Sequence, residues 1–474
     1  MTMRPTANPG FCAVDVRRHH VPNPPMSARA EVLRELRPTL RLALPITAGH
    51  VGQILLGLTD SIMIGRVGAV PLAGSAFAGA VFAVALLIGI GLLTPVAVRA
   101  AEAHGADRHG DAGQALRHGL LLGVGAAVVL AGILSLLAGH LAFFGQPPEV
   151  AAAARPYLVI VAWSLLPALA QLAVKNFYEA LHRPWIPLYW VLGGVGLNVF
   201  LNWVLIYGHL GAPALGLTGA GWATLISRLT VFTGLFLHLE RSRTFADSRP
   251  ARWTAPIDRA ELRAQLRQGW PVSLQLFFES SLFSISAIFM GWLGTVALAA
   301  HQVALNCAST TFMFPLGVSH ALAVRIGHAR GAGHDHLLRV IGFGGIGSSA
   351  AIMTCFGAGF VCLGPAIASS FIHDQAVVAL ATKLLIVVGA FQIFDGTQVT
   401  AMGALRGLAD IRRPTLITFL GYWLCAIPAA WSLGFAADLG PIGVWSGMAT
   451  GLALCAVMLV VRFAGLTRAP IGSN

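Results

Sequence analysis

Charge is scarce in this chain: of 474 residues only 11% are Asp, Glu, Lys or Arg, against about 25% in an ordinary soluble domain. Hydrophobic residues make up 56%, and the mean hydropathy is +0.74. Most of the chain therefore cannot be meeting water. Cysteine is also sparse. The six, Cys12, Cys307, Cys355, Cys362, Cys425 and Cys455, form no CxxC pair and fall mostly within apolar runs, so they imply neither a disulfide framework nor a metal site. No HExxH, GxSxG or pair of catalytic aspartates occurs in those runs, which argues against a membrane-embedded enzyme and leaves no resident cofactor to expect. Residues 1–40 are rich in Arg and Pro and lack an apolar core, so they do not read as a cleavable signal peptide. Ser27 is placed to cap a short helix through Arg37, with Leu33, Leu36 and Leu40 on one face, lying against a membrane surface.

What the chain has instead is apolar length. A bilayer core about 30 Å thick takes roughly 20 residues of helix, and twelve such runs recur: 41–64, 71–97, 118–139, 156–178, 186–207, 215–239, 269–290, 297–323, 339–363, 378–404, 414–435 and 441–463. The net charge of +12 is distributed in a way that argues against a nucleic-acid partner. Arginines gather in alternate loops: the N-terminal segment, then Arg99, Arg108 and Arg117, then Arg183, then seven between Arg241 and Arg267. The series continues with Arg325, Arg330 and Arg339, then Arg406, Arg412 and Arg413, and closes with Arg462 and Arg468. The opposite loops hold Arg66 and Arg155. Positive loops stay in the cytoplasm, so both termini and the central loop are expected there, which requires an even number of spans. The expected setting is a bacterial inner membrane crossed many times by a chain that works as a monomer.

The sequence also repeats. Gly65-Arg-Val-Gly68-Ala-Val70-Pro-Leu72-Ala73 matches Gly291-Trp-Leu-Gly294-Thr-Val296-Ala-Leu298-Ala299 at an offset of 226, and the same offset pairs Arg99 with Arg325 and Gly105 with Gly331. Further on, Gly216 and Gly219 match Gly440 and Gly443 at 224. Each half holds six spans, so both enter from the same side and the repeats are parallel. The predicted fold is an all-α membrane protein of twelve helices, in two parallel-repeat six-helix bundles facing a central cleft. Its parts are a cytoplasmic segment 1–40, an N-terminal lobe 41–239, a basic linker 240–268, a C-terminal lobe 269–463 and a tail 464–474.

Three carboxylates lie inside the spans, where each costs about 2.5–3.5 kcal/mol to insert and so points to function. Glu279 lies about ten residues into the seventh span, roughly 15 Å deep. Asp395 sits past the middle of the tenth, and Asp60 in the outer half of the first. Removed from water, such groups are suited to holding a proton or a dehydrated cation such as Na+, with Glu279 and Asp395 as the candidate Na+ site. Asn198 and Asn202, spaced i,i+4, could join Asp60 and Thr224 in a second polar cluster. Lys175 and Glu179, also i,i+4, read as a pair snorkelling at a span end. His328, His334, Asp335 and His336 read as part of a basic loop, not a metal site.

Together these residues resemble the multidrug and toxic compound extrusion family, in its NorM-like branch. The resemblance runs over about residues 40–463. In the second half it rests on Phe277-Phe-Glu279-Ser-Ser-Leu-Phe283, Ala299-Ala-His-Gln302-Val-Ala-Leu-Asn306, Phe312-Met-Phe-Pro315-Leu-Gly317, Arg325-Ile-Gly-His328 and Asp395-Gly-Thr-Gln-Val-Thr-Ala-Met-Gly403-Ala-Leu-Arg406-Gly407. In the first half it rests on Pro45, Thr59-Asp60-Ser-Ile-Met63, Gly65-Arg66-Val-Gly68 and Leu197-Asn198-Val-Phe-Leu-Asn202. It implies a secondary active exporter of organic cations and drugs, driven by inward Na+ or H+. Glu279 and Asp395 would then form the cation site, with Gln302 and Asn306 as polar cleft neighbours. Asp60, Asn198, Asn202 and Thr224 would form the first-half cluster, although some relatives carry Asp where Asn202 stands. The competing reading is a lipid-linked precursor flippase of a related superfamily. Its polyanionic headgroup would call for cations at midplane, and the spans read as nearly free of them.

Overall fold

A computed structural model of the chain describes residues 28–250 and 252–468. Among the described residues there is no strand, and twelve helices are long and apolar enough to cross a membrane. The first half comprises α1 (Ala28–Gly65), α2 (Ala69–Gly105), α3 (His109–Ala138), α4 (Pro148–Ala180), α5 (Trp185–Tyr207) and α6 (Leu217–Arg241). The second comprises α7 (Arg259–Trp292), α8 (Thr295–Gly331), α9 (Asp335–Phe371), α10 (Gln375–Gly407), α11 (Arg412–Ala436) and α12 (Gly440–Leu466).

Several helices reach beyond the apolar runs that mark them in sequence. The short surface helix expected up to Arg37 is the first part of α1, which continues through Pro38 and Pro45 into the span; Ser27 lies outside the described residues. The seventh helix starts ten residues before its apolar run, because Asp258 accepts hydrogen bonds from the N–H groups of Ala260 (2.8 Å) and Glu261 (3.3 Å) and so caps it. Within α4 the helix breaks at Ser164, whose hydroxyl turns back to the Val161 carbonyl at 2.6 Å. In α11 the turns widen to π-helix over Leu420–Ala426 and Ser432–Ala436, a distortion common at functional sites.

The repeat is exact where the two halves meet. Helices α2 and α8 begin and end 226 residues apart. Gly91 of α2 lies so close to Ser273 of α7 that a Cβ there would collide with its backbone. The repeat-related pair, Gly317 of α8 and Thr47 of α1, is also in contact, here through the Thr47 hydroxyl. At the arginine-rich end Gly105 sits against the His328 carbonyl, and its counterpart Gly331 against the carbonyl of Glu102, which is the counterpart of His328. Contacts reciprocated in this way are what a twofold axis imposes, here a pseudo-twofold between halves of one chain. Small residues at the crossings let the backbones approach.

Hydrogen bonds between the halves follow the same seam. Ser273 Oγ donates to the Ile88 carbonyl (2.8 Å), Gln265 Nε2 to that of Ala115 (2.9 Å), Arg99 Nε to Glu261 (2.7 Å) and Arg325 Nη2 to Glu35 (2.5 Å). Arg117, expected in a basic loop, is buried, and its guanidinium donates to the carbonyls of Trp253 (3.1 Å) and Pro256 (3.0 Å) in the connection between halves. Among the described residues, every hydrogen bond joining the halves lies between the Ile88–Ser273 level and the arginine-rich end. The bundle is fastened at that end and unfastened toward the other.

Candidate functional site

The first-half cluster is built by α1, α5 and α6. Asn198 and Asn202 are one turn apart on α5 and fully buried. Asn202 Nδ2 donates to Asp60 at 2.5 Å and to Asn198 Oδ1 at 3.0 Å, while Asn198 Nδ2 reaches Thr224 Oγ1 at 3.5 Å. These four residues do come together, as the spacing suggests, but the amides sit behind Asp60 rather than on an open wall. Asn202 Oδ1 is buried without a partner, so an oxygen ligand remains unused beside a carboxylate.

The second-half acids are differently placed. Asp395 on α10 is buried at 4% exposure and Glu279 on α7 is half-buried. The two lie within electrostatic reach of one another, and among the described residues neither makes a side-chain hydrogen bond or ion pair. Gln302 and Asn306, one turn apart on α8, are exposed along with Ser309 and Thr310, a polar stripe in the middle of an otherwise apolar helix. Such a stripe suits a wetted wall, not a lipid-facing one. Buried polar atoms without partners include the Tyr422 hydroxyl, within reach of both acids, and, three residues either side of Asp395 on α10, Gln392 Oε1 and both amide atoms of Gln398.

Three cations inside the spans correct the sequence reading, which took the spans to be nearly free of them. Arg228 on α6 lies within electrostatic reach of Asp60, donates to Ser164 Oγ at 2.7 Å and covers the Phe82 ring at 5.1 Å. Its signal was available, since it stands one turn after Thr224. Arg406, counted with the loop arginines, is 5% exposed, donates to Gln275 Oε1 at 2.9 Å and lies within reach of Glu279. Lys175 and Glu179 do pair, at 3.0 Å, but are buried at 6% and 2% exposure and do not snorkel. Tyr422, within reach of both Glu279 and Asp395, was also missed. It occupies the position that the 224-residue offset pairs with Asn198.

Histidines gather at the arginine-rich seam: His104 lies 5.4 Å from His109 and 5.5 Å from His328, and His182 lies 5.0 Å from His328, measured between ring centres. In the turn before α5, burial first, then His328, His104 and Arg325, push His182 down to about 4. Among the described residues no three His, Cys, Asp or Glu are set to hold a metal ion.

The MatE family model matches this chain twice, over residues 45–204 and 271–432, one match in each half. The chain is 36% identical over 465 residues to "Probable multidrug resistance protein NorM" of Bradyrhizobium diazoefficiens, covering 97% of this chain and 99% of the relative. It is 35% identical over 435 residues to the protein of the same description in Pseudomonas syringae pv. tomato, covering 91% and 95%. A solved structure described as the outward-facing conformation of a multidrug resistance MATE family transporter of the MOP superfamily superposes with a TM-score of 0.82 at 20% identity, over 94% of this chain and all of that one.

Proposed function

The chain belongs to the MatE family, and from that premise we propose that it is a secondary active exporter of organic cations and drugs, exchanging them for inward Na+ or H+ by alternating access between its two six-helix lobes. The observation that carries the proposal is the pair Glu279 and Asp395, two carboxylates within reach of each other and without a bracing donor, in a half whose α8 exposes the amides of Gln302 and Asn306. Two such carboxylates gain by accepting a proton, a dehydrated cation or a cationic substrate. Antiport follows when these occupants exclude one another and each favours closure of a different side. Asp60, with Asn198, Asn202 and Thr224 behind it, is a second position for a cation, and the unused Asn202 oxygen suits one.

In this reading the arginine-rich end is cytoplasmic, as the positive-inside rule requires. Both termini and the connection between lobes then lie inside, and the halves are fastened on the cytoplasmic side. The lobes are 41–239 and 269–463, the chain is functional as a monomer, and no cofactor takes part. A flippase for a polyanionic headgroup would need unengaged cations, whereas Lys175, Arg228 and Arg406 are each held by a neighbour.

The test is dye antiport in proteoliposomes, with an inward Na+ gradient and an inward pH gradient imposed separately. One of the two is expected to drive ethidium movement against its own gradient. Dye movement indifferent to both gradients would overturn ion-coupled exchange.

A further inference from the structure

At the arginine-rich end, the first turns of α7 and the loop joining α10 to α11 line an open recess of about 590 Å³, within the range of about 300–1,000 Å³ typical of small-molecule sites. Its charged lining is Arg263, Arg267, Arg412 and the carboxylate of Asp410, over a floor that includes Ala264 and Ile411. The nearby acids are committed elsewhere: Asp258 caps α7, Glu261 pairs with Arg99, and Asp410 accepts from Arg462 at 2.9 Å. Among the described residues none of the three lining arginines has a carboxylate partner.

The spacing of the lining residues continues into the membrane. Arg263, Arg267 and Trp270 stand at i, i+4 and i+7 on α7, and Arg412 and Leu416 at i and i+4 on α11, so each arginine face passes within one turn into a large exposed apolar side chain. Trp270 is 53% exposed and Leu416 58%. Just below, Gln275 Nε2 donates to Thr415 Oγ1 (2.9 Å) and Thr415 Oγ1 to the Pro271 carbonyl (3.2 Å), which fixes the two helices at one separation. Three uncompensated guanidiniums above a paired apolar wall, at the level where a span leaves the bilayer, match a molecule with a phosphate at one end and hydrocarbon at the other.

We propose that this recess binds the headgroup phosphate of an anionic phospholipid, whose acyl chains run down past Trp270 and Leu416. The lipid would clamp the α10–α11 loop to the start of α7. The inference is independent of which ion or substrate the chain moves.

The test is thermal unfolding and lipid titration of the full chain in detergent micelles, with phosphatidylglycerol, phosphatidylcholine or inorganic phosphate added. Phosphatidylglycerol is expected to raise the melting temperature and the other two to leave it unchanged. The triple change Arg263→Ala, Arg267→Ala, Arg412→Ala should abolish that rise and weaken phosphatidylglycerol binding about 100-fold, at about five-fold for each arginine near an anionic surface. A charge-matched control, Arg34→Ala, Arg37→Ala, Arg41→Ala, removes three exposed arginines from α1 and should behave as the parent. Equal losses in both triple variants would mean diffuse attraction and overturn the site. A rise given by inorganic phosphate alone would overturn the lipid as its occupant.

Discussion

Asp60 accepts a hydrogen bond from Asn202, which is itself tied to Asn198 and through it to Thr224, whereas Glu279 and Asp395 lie within electrostatic reach of each other with no donor fixed on either. Both sites occupy halves grown from one repeat, yet the repeat did not copy the chemistry. The positions equivalent to Asp60, Asn198, Asn202 and Thr224 in the second half are Ser286, Tyr422, Ala426 and Met448. There the contact that survives is Ser286 Oγ against Met448 Sδ at 2.8 Å. The lesson concerns demand. A carboxylate already solvated by an amide has part of its need met by the protein, while two carboxylates that hold no donor, with Arg406 in reach of Glu279 but bonded to Gln275, leave more of that need to whatever enters the cleft.

The largest effect should therefore fall on the second half. Glu279→Gln and Asp395→Asn are each expected to abolish ethidium efflux from cells while the protein still reaches the membrane, and Asp60→Asn to leave a measurable fraction. Normal efflux in both second-half variants, with loss in Asp60→Asn, would reverse the comparison. Next come the glycines of the seam. Gly105→Leu and Gly331→Leu each drive a side chain into a facing backbone, which costs a packed contact about 1–3 kcal/mol. The expected result is a severalfold or greater fall in efflux, similar for the two because they are repeat-related. A large effect at one and none at the other would break the pseudo-twofold equivalence.

The scaffold was legible because the offset of 226 runs without a gap through α2 and the start of α3, so that helix ends, glycine contacts and the matching halves all follow from one alignment of the chain with itself. The acids were legible for a different reason, since a carboxylate in an apolar run is costly to insert and rarely persists there without a use. What escaped was polarity hidden by context. Arg406 and Arg117 sit near span ends where arginine is ordinary, and only packing shows that Gln275 and the carbonyls of the lobe connection have drawn them inside. Helix limits escaped in part, because α7 begins with charged turns that hydropathy alone assigns to the connection, and because the amphipathic helix expected up to Arg37 runs on into the first span as α1.

A smaller effect is expected on stability. Asn202→Ala removes the donor to Asp60 and strands Asn198 Oδ1, which typically costs about 1–3 kcal/mol. Gln302→Ala, at an exposed position, should stay within about 0.5 kcal/mol. Thermal unfolding in detergent compares them directly, and equal stability of the two variants would show that the first-half chain of amides is not bracing Asp60.

The smallest effect on stability, and the most discriminating for the comparison, belongs to Tyr422. Its hydroxyl is buried without a hydrogen-bond partner, so Tyr422→Phe removes a group that gives the fold no hydrogen bond and should leave the melting temperature unchanged or slightly raised. The π-helical turn that carries it nevertheless brings it within reach of both second-half acids, where an oxygen without other duties can serve a cation. If the second half holds the coupling ion, Tyr422→Phe should raise the ion concentration needed for half-maximal dye antiport while the maximal rate changes little. Loss of stability with unchanged ion dependence would make Tyr422 a packing residue, and the second-half site would then consist of the two carboxylates without it.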